Sequence, residues 1–424
     1  MKDRGRPPLN ARRYQLFVSY AHEDRVFVAS LVQRLTAAGL YVWWDERRLP
    51  ASASIAFELP DAIGNATAAL FVISKASARS GWVKEEFSAA VDQRTRYANY
   101  RIQTVRLDET EPPALLRTTR WIEAPGAALT SDILLDLLLG LYGPDEGPVG
   151  SAWDLYVSRS WKPKEAATAD AVCRHAAAAG YRLIGDAPDQ KEFDEKRIGA
   201  LIASCGAMLA IAPNRGGATS PYIEEEAALA GTLGVPCVIV AEDGVKLSQR
   251  TVAAAGTERV MSASALAESG GKELLIGLIQ DAHRPPLKPH YVFYASSLTK
   301  TAETNERVRR LVERVTGIEC VMGANMAEQH AQLAIIQSIA GALFMLADIS
   351  DDNRNTLIEA GIARGAGTRL YLFAAGSPPQ QTRFMFRDME VRFYADEPDL
   401  LAAVHRVARP YRRRVLNREL APDA

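Results

Sequence analysis

Ile63-Gly64-Asn65-Ala66-Thr67-Ala68-Ala69-Leu70-Phe71-Val72-Ile73 runs from the end of an amphipathic helix into a short, continuous apolar segment. Such a segment reads as a strand buried on both faces, as in a parallel sheet covered by helices. The same passage recurs twice, as Ile202-Ala203-Ser204-Cys205-Gly206-Ala207-Met208-Leu209-Ala210-Ile211 and as Ile339-Ala340-Gly341-Ala342-Leu343-Phe344-Met345-Leu346. Each is followed by a polar loop, then by a helix carrying a glutamate: Glu86, Glu226 and Glu359. Each is closed by another apolar strand: Thr104-Val105-Arg106-Leu107, Cys237-Val238-Ile239-Val240 and Leu370-Tyr371-Leu372-Phe373.

Upstream the rhythm is also shared. Leu16-Phe17-Val18-Ser19, Leu155-Tyr156-Val157-Ser158 and Val292-Phe293-Tyr294-Ala295 read as opening strands. Each leads into a helical stretch ending at Gly39, Gly180 or Gly317, where a helix C-cap is expected. The spacings from Phe17, Tyr156 and Phe293 to those glycines are 22, 24 and 24 positions. Two segments rich in Gly and Pro, Gly143–Gly150 and Arg284–Pro289, disfavour continuing helix or central strand and read as linkers. The expected architecture is α/β: three parallel-sheet domains at residues 1–145, 150–284 and 289–424, produced by a divergent internal triplication.

The chain has 424 residues, 48% hydrophobic and 24% charged, with a formal net charge of −1. That balance supplies no global attraction to nucleic acid or to an anionic membrane, so neither is expected as a partner. No run approaches the ~18 apolar residues of a membrane span. Four scattered cysteines, Cys173, Cys205, Cys237 and Cys320, fit buried thiols of a cytoplasmic protein, and no metal site is expected from them.

In open parallel sheets, ligands gather beyond the carboxyl ends of the strands. In the first copy those ends carry Ser19-Tyr20-Ala21-His22-Glu23-Asp24, Trp43-Trp44-Asp45-Glu46 and Ser74-Lys75. Trp82 and Glu86, four apart on the next helix, share one face. A carboxylate beside an indole suits a sugar or nucleotide, one accepting hydrogen bonds from a diol and the other offering a stacking wall.

Leu16-Phe17-Val18-Ser19-Tyr20-Ala21-His22-Glu23-Asp24, Val42-Trp43-Trp44-Asp45 and Ser80-Gly81-Trp82-Val83-Lys84-Glu85-Glu86-Phe87 together resemble the TIR (Toll/interleukin-1 receptor) family. The first resembles its opening strand, the second its second strand leading into the BB loop, and the third its Ser-x-Trp-x-x-x-Glu helix. The resemblance covers about residues 14–142 and implies a flavodoxin-like fold. Leu49–Ser54 lacks the glycine the family often places in the BB loop. Many prokaryotic members hydrolyse NAD+, which would make Glu86 catalytic, with Glu85 the competing neighbour. The same resemblance implies Ser19, Tyr20, Trp44, Asp45, Ser74 and Trp82 as substrate-binding residues, NAD+ as substrate rather than cofactor, and self-association through TIR domains.

The second copy carries Ser220-Pro221-Tyr222-Ile223-Glu224-Glu225-Glu226, which aligns without gaps on Ser80–Glu86. Ser158, Arg159 and Lys162 follow its first strand, where cations suit phosphates. The third copy carries Asp348, Asn355 and Glu359 in a pattern resembling nucleoside 2-deoxyribosyltransferase-like domains, in which the matching Glu attacks the sugar. Asp352 or Asn353 would cap the helix there. With Glu226, these residues are the candidate ligand site for a cyclic or related nucleotide. The resulting expectation is a bacterial immune effector: a TIR NAD+ hydrolase switched on by a nucleotide bound to the second and third copies. The alternatives are a producer of a cyclic ADP-ribose signal, a non-catalytic TIR adaptor, and a deoxyribosyltransferase acting through Glu359.

Overall fold

The computed structural model describes residues 15–44, 61–79, 81–97, 100–112, 120–142, 154–185, 194–284, 291–297, 302–323, 331–350, 353–376, 388–412 and 414–415. Three sheets are present. The first contains β1 (Leu16–Ser19), β2 (Val42–Trp43), β3 (Ala68–Ile73), β4 (Arg101–Arg106) and β5 (Ile122–Glu123), in the order β2-β1-β3-β4-β5. The second contains β6 (Asp154–Ser158), β7 (Arg182–Gly185), β8 (Ala207–Ala212), β9 (Cys237–Ala241) and β10 (Val260–Ser262). The third contains β11 (Tyr291–Ala295), β12 (Glu319–Met322), β13 (Phe344–Asp348), β14 (Arg369–Ala375) and β15 (Val391–Tyr394).

In each sheet the strands run second-first-third-fourth-fifth and all these pairings are parallel. This is the flavodoxin-like order, with its switch point between the first and third strands. The central strands β3 and β8 are buried at every residue, as continuous apolar runs require. Gly39, Gly180 and Gly317 adopt φ of +82°, +92° and +71°, the left-handed conformation of a helix end.

Two features go beyond three separate parallel sheets. A sixth strand, β16 (Arg414–Val415), pairs antiparallel with β7, so the last stretch of the chain extends the second sheet. The first and third units also share one continuous apolar core. Helices Arg25–Ala37 and Ser131–Gly140 of the first unit supply Leu31, Leu35, Leu134 and Leu138 to it. Helices Ala302–Thr316 and Glu397–Ala408 of the third supply Leu311, Val315, Leu401 and Val404. The two Gly/Pro-rich linkers lie outside the described residues, apart from Arg284.

His405 is fully buried in this junction. Its Nδ1 lies 2.6 Å from the carbonyl oxygen of Ala38, and its Nε2 lies 2.6 Å from the Tyr142 hydroxyl. The carbonyl can only accept, so Nδ1 carries the proton, Nε2 accepts, and Tyr142 donates. Burial, with Arg409 and Arg412 nearby, pushes the imidazole down to about 4 despite the Ala38 bond. The imidazole is therefore neutral in the folded protein, while the unfolded chain takes up a proton near pH 6.5. The sign follows: stability is present above about pH 6.5 and is lost as pH falls toward 4, by about 3 kcal/mol over that window. In His405→Ala this component of the pH dependence is expected to vanish. The variant should also lose ~2–4 kcal/mol at pH 7.5, because the Tyr142 hydroxyl and the Ala38 carbonyl are left without their partner. Urea unfolding of both proteins between pH 5 and 8 checks this; equal pH slopes would contradict it.

Candidate functional site

The switch point of the first sheet lies between β1 and β3, and β1 ends there in Ser19. The hydroxyl of Ser19, a buried residue, donates to a carboxylate oxygen of Glu86. Glu86 sits in helix Gly81–Arg96 and is half-buried. The helix is held down by Phe87, which packs edge-on to Phe71 of β3 with ring centroids 5.4 Å apart. A carboxylate is thus fixed over the carboxyl end of β1, on the side of the sheet formed by Phe17, Trp43 and Phe87. The side chains of Trp82 and Glu85, and all of Asp45, Ser54 and the BB loop, lie outside the described residues.

Several expected ligand contacts have other employment. Ser74 is buried; its hydroxyl donates to Asp24 at 2.6 Å and accepts from the backbone N–H of Ser77 at 3.1 Å. It therefore holds the loop after β3 closed rather than presenting itself to a substrate. Burial raises the carboxyl of Asp24 above its ordinary range, while the Ser74 bond opposes that shift. Trp44 is buried in the core on the opposite side of the sheet from Glu86 and is no wall of an open cleft beside it. Trp43 stacks on Phe17 at 4.8 Å, on the Glu86 side. Tyr20 is half-buried beside Trp44, with ring centroids 6.2 Å apart.

Strand register makes the three glutamates comparable. Phe17, Tyr156 and Phe293 pair with Ala69, Met208 and Met345, each the second residue of its third strand. Ser19, Ser158 and Ala295 pair with Phe71, Ala210 and Ala347, each the fourth. In the second unit the Tyr156 hydroxyl donates to Glu226 at 2.5 Å, and Glu226 is 1% exposed. The phenol plugs the position and turns the carboxylate inward. Ser158 keeps the place of Ser19, but its buried hydroxyl has no hydrogen-bond partner among the described residues. Arg159 also turns inward. It pairs with Asp170 at 2.7 Å, stacks over Trp161 at 5.0 Å, and its side chain is 7% exposed. The expected cationic cleft mouth therefore reduces to Lys162, which is exposed.

In the third unit the tyrosine position is Phe293 and the serine position is Ala295, so neither hydroxyl is available to Glu359. Glu359 has no hydrogen-bond partner among the described residues, and burial raises its carboxyl to about 7. It lies against the end of β12: a Cβ placed on Gly323 would come 3.3 Å from Oε1 of Glu359 and 3.7 Å from the Phe293 ring. Asn355, one turn earlier on helix Arg354–Ala366, is exposed, and Asn353 is the cap, accepting from the N–H of Asn355. Asp348 is occupied internally, accepting from the Ser350 hydroxyl at 2.5 Å and the Tyr394 hydroxyl at 2.8 Å. Asp352 lies outside the described residues. Tyr394 and Gly323 belong to none of the sequence motifs, and only the fold brings them to the site.

All four cysteines are buried, and burial raises the thiol of Cys173 to about 11 and that of Cys237 to about 12. Among the described residues no group of side chains is arranged to hold a metal ion, and no helix is long and apolar enough to cross a membrane.

Residues 16–133 match the family model of the TIR domain. Among solved structures, one similar chain is the TIR domain of the Toll-related receptor TRR-2 from the lower metazoan Hydra magnipapillata. It is 22% identical, with 26% of this chain and 83% of that chain covered and a TM-score of 0.24. Another is a metazoan TIR-STING receptor from C. gigas in complex with 2',3'-cGAMP. It is 26% identical, with 27% of this chain and 36% of that chain covered and a TM-score of 0.25.

Proposed function

We propose that the TIR domain at residues 16–133 cleaves NAD+ at the nicotinamide–ribose bond, with Glu86 as the catalytic carboxylate. The observation that carries this reading is the Ser19–Glu86 hydrogen bond, which fixes a carboxylate over the end of β1 inside that domain. Nicotinamide is a cationic leaving group and needs little acid assistance. As the C1′–N bond breaks, its electron pair goes to nicotinamide and the ribose acquires oxocarbenium character. A fixed carboxylate beside the ribose stabilises that charge. Water then attacks C1′ and loses a proton to solvent, leaving ADP-ribose; attack by the adenine ring instead gives a cyclic product. Assembly through TIR domains, and action as a bacterial antiphage effector that depletes NAD+, belong to the same reading.

A constitutively active enzyme of this kind would exhaust its host's NAD+, so control is required. The third unit supports a control site, because Glu359 lies beside Gly323 at a strand end with no hydrogen-bond partner among the described residues. It is suited to accept hydrogen bonds from the ribose or base edge of a nucleotide activator. The second unit, whose glutamate is plugged by Tyr156, is better suited to structure than to that role.

Ser19 acts in this scheme as a positioning residue. Ser19→Ala removes one hydrogen bond to a charged group, worth ~1.5 kcal/mol, and should lower kcat about 10-fold with KM little changed. Steady-state nicotinamide release by both proteins checks the split. A change confined to KM would instead make Ser19 a substrate contact.

A further inference from the structure

The junction of the first and third units is reciprocal. Arg34, on the first helix of the first unit, reaches Asp396 at the start of the last helix of the third, 2.7 Å away. Arg307, on the first helix of the third unit, reaches Asp132 at the start of the last helix of the first, also 2.7 Å away. Each unit thus offers the same two helices to the other, and each supplies the same chemistry: a base from the first helix, an acid from the beginning of the last. Exchange of equivalent contacts is what defines an isologous two-fold interface. Within this chain it is formed between two copies of one structural plan.

The second unit has the same two helices, Ala166–Ala178 and Gly271–Ala282, on the same side of its sheet. Between them lies an open groove of about 390 Å³, lined by His175, Ala178, Lys272, Glu273, Ile276 and Gly277. The small residues Ala178 and Gly277 leave room for close helix approach, and a Cβ on Gly277 would meet nothing within 4 Å. The charge pattern recurs: Arg174 and His175 near the end of the first helix, Glu273 at the beginning of the last.

We propose that this face of the second unit pairs with the same face of a second copy of the chain, forming a two-fold dimer through helices Ala166–Ala178 and Gly271–Ala282. The occupant is a second copy because the face is self-complementary in kind. Its counterparts on the two sister units already pair with each other. In the dimer Glu273 of one chain meets the basic end of the first helix in the other, while Ile276 packs over Ala178 and Gly277. The pairing brings two copies of the whole chain together without using the BB loop.

Sedimentation velocity of the full-length protein from about 1 to 50 µM, with no NAD+ present, tests this independently of any catalytic role. The expected species has twice the 46.3 kDa mass of one chain. Gly277→Arg fills the groove from a position with free space around it and is expected to give monomer. Glu273→Lys leaves the helix intact and is expected to weaken the dimer about 5-fold. Circular dichroism confirms that each variant is folded; if Gly277→Arg does not fold, the Glu273→Lys result decides. A wild-type monomer throughout the range overturns the proposal and leaves the face to a different partner. A dimer unaffected by the folded variants overturns it as well.

Discussion

Glu86→Gln is expected to lower the rate of nicotinamide release from NAD+ by at least ~100-fold, the scale of losing one preorganised electrostatic group at a reacting centre. The substitution keeps the size of the side chain and leaves an amide oxygen that can still accept from Ser19, so the geometry at the end of β1 should survive. What it removes is the negative charge facing the developing oxocarbenium. The loss should therefore fall on kcat, with KM for NAD+ changed far less. Glu85→Gln is the companion variant. Adjacent residues of a helix point about 100° apart, so the two substitutions separate the two assignments. If Glu85→Gln is inactive and Glu86→Gln retains its rate, the assignment is wrong by one residue.

The second large effect is expected at Glu359. Glu359→Ala should raise the nucleotide concentration needed for half-maximal activation by ~10–100-fold, corresponding to loss of one or two hydrogen bonds to a charged acceptor. Basal turnover should be unchanged. The carboxyl is raised to about 7 by burial, and a ligand that donates hydrogen bonds favours its charged form. Binding then releases a proton, so affinity should increase as pH rises through about 7 and level off above it. Calorimetry with a panel of cyclic nucleotides in two buffers of different ionisation enthalpy measures both the affinity and the proton. Nucleotide binding that is as tight in Glu359→Ala as in the wild type would remove the site from the third unit.

Much of the architecture was legible in the chain itself. Continuous apolar runs such as Ala68–Ile73 and Ala207–Ala212 admit few alternatives to covered parallel strands, and the repeated glycine-terminated helices set the copy number. The union of the first and third units was not legible. It depends on which outward faces of amphipathic helices find one another, and single-helix periodicity carries no information about that choice. The pairing of Arg414–Val415 with β7 was hidden for a different reason: two residues in a strongly basic stretch give no strand signal, and the edge they join does the selecting.

The candidate site divides in the same way. The glutamates could be found because they recur at one position, whereas the roles of the serines could not. Ser19 and Ser74 occupy similar places at strand ends, yet one holds a carboxylate across the cleft and the other closes its own loop. The plug in the second unit did leave a trace. Tyr156 stands where its sister strands have Phe17 and Phe293, and that added hydroxyl is what captures Glu226. Arg159 left none, because its partner Asp170 lies on the following helix in a composition that reads as ordinary surface.

The central claim is that this chain breaks the nicotinamide–ribose bond of NAD+. The most direct measurement is chromatography with mass detection of NAD+ incubated with the purified full-length protein, alone and with each member of a cyclic nucleotide panel, across a range of protein concentrations. The account predicts nicotinamide appearing in equal amount to ADP-ribose or a cyclic isomer, with at least one nucleotide increasing the rate and Glu86→Gln slower by at least ~100-fold. NAD+ recovered intact under every one of those conditions would contradict it, leaving the TIR domain as a binding module.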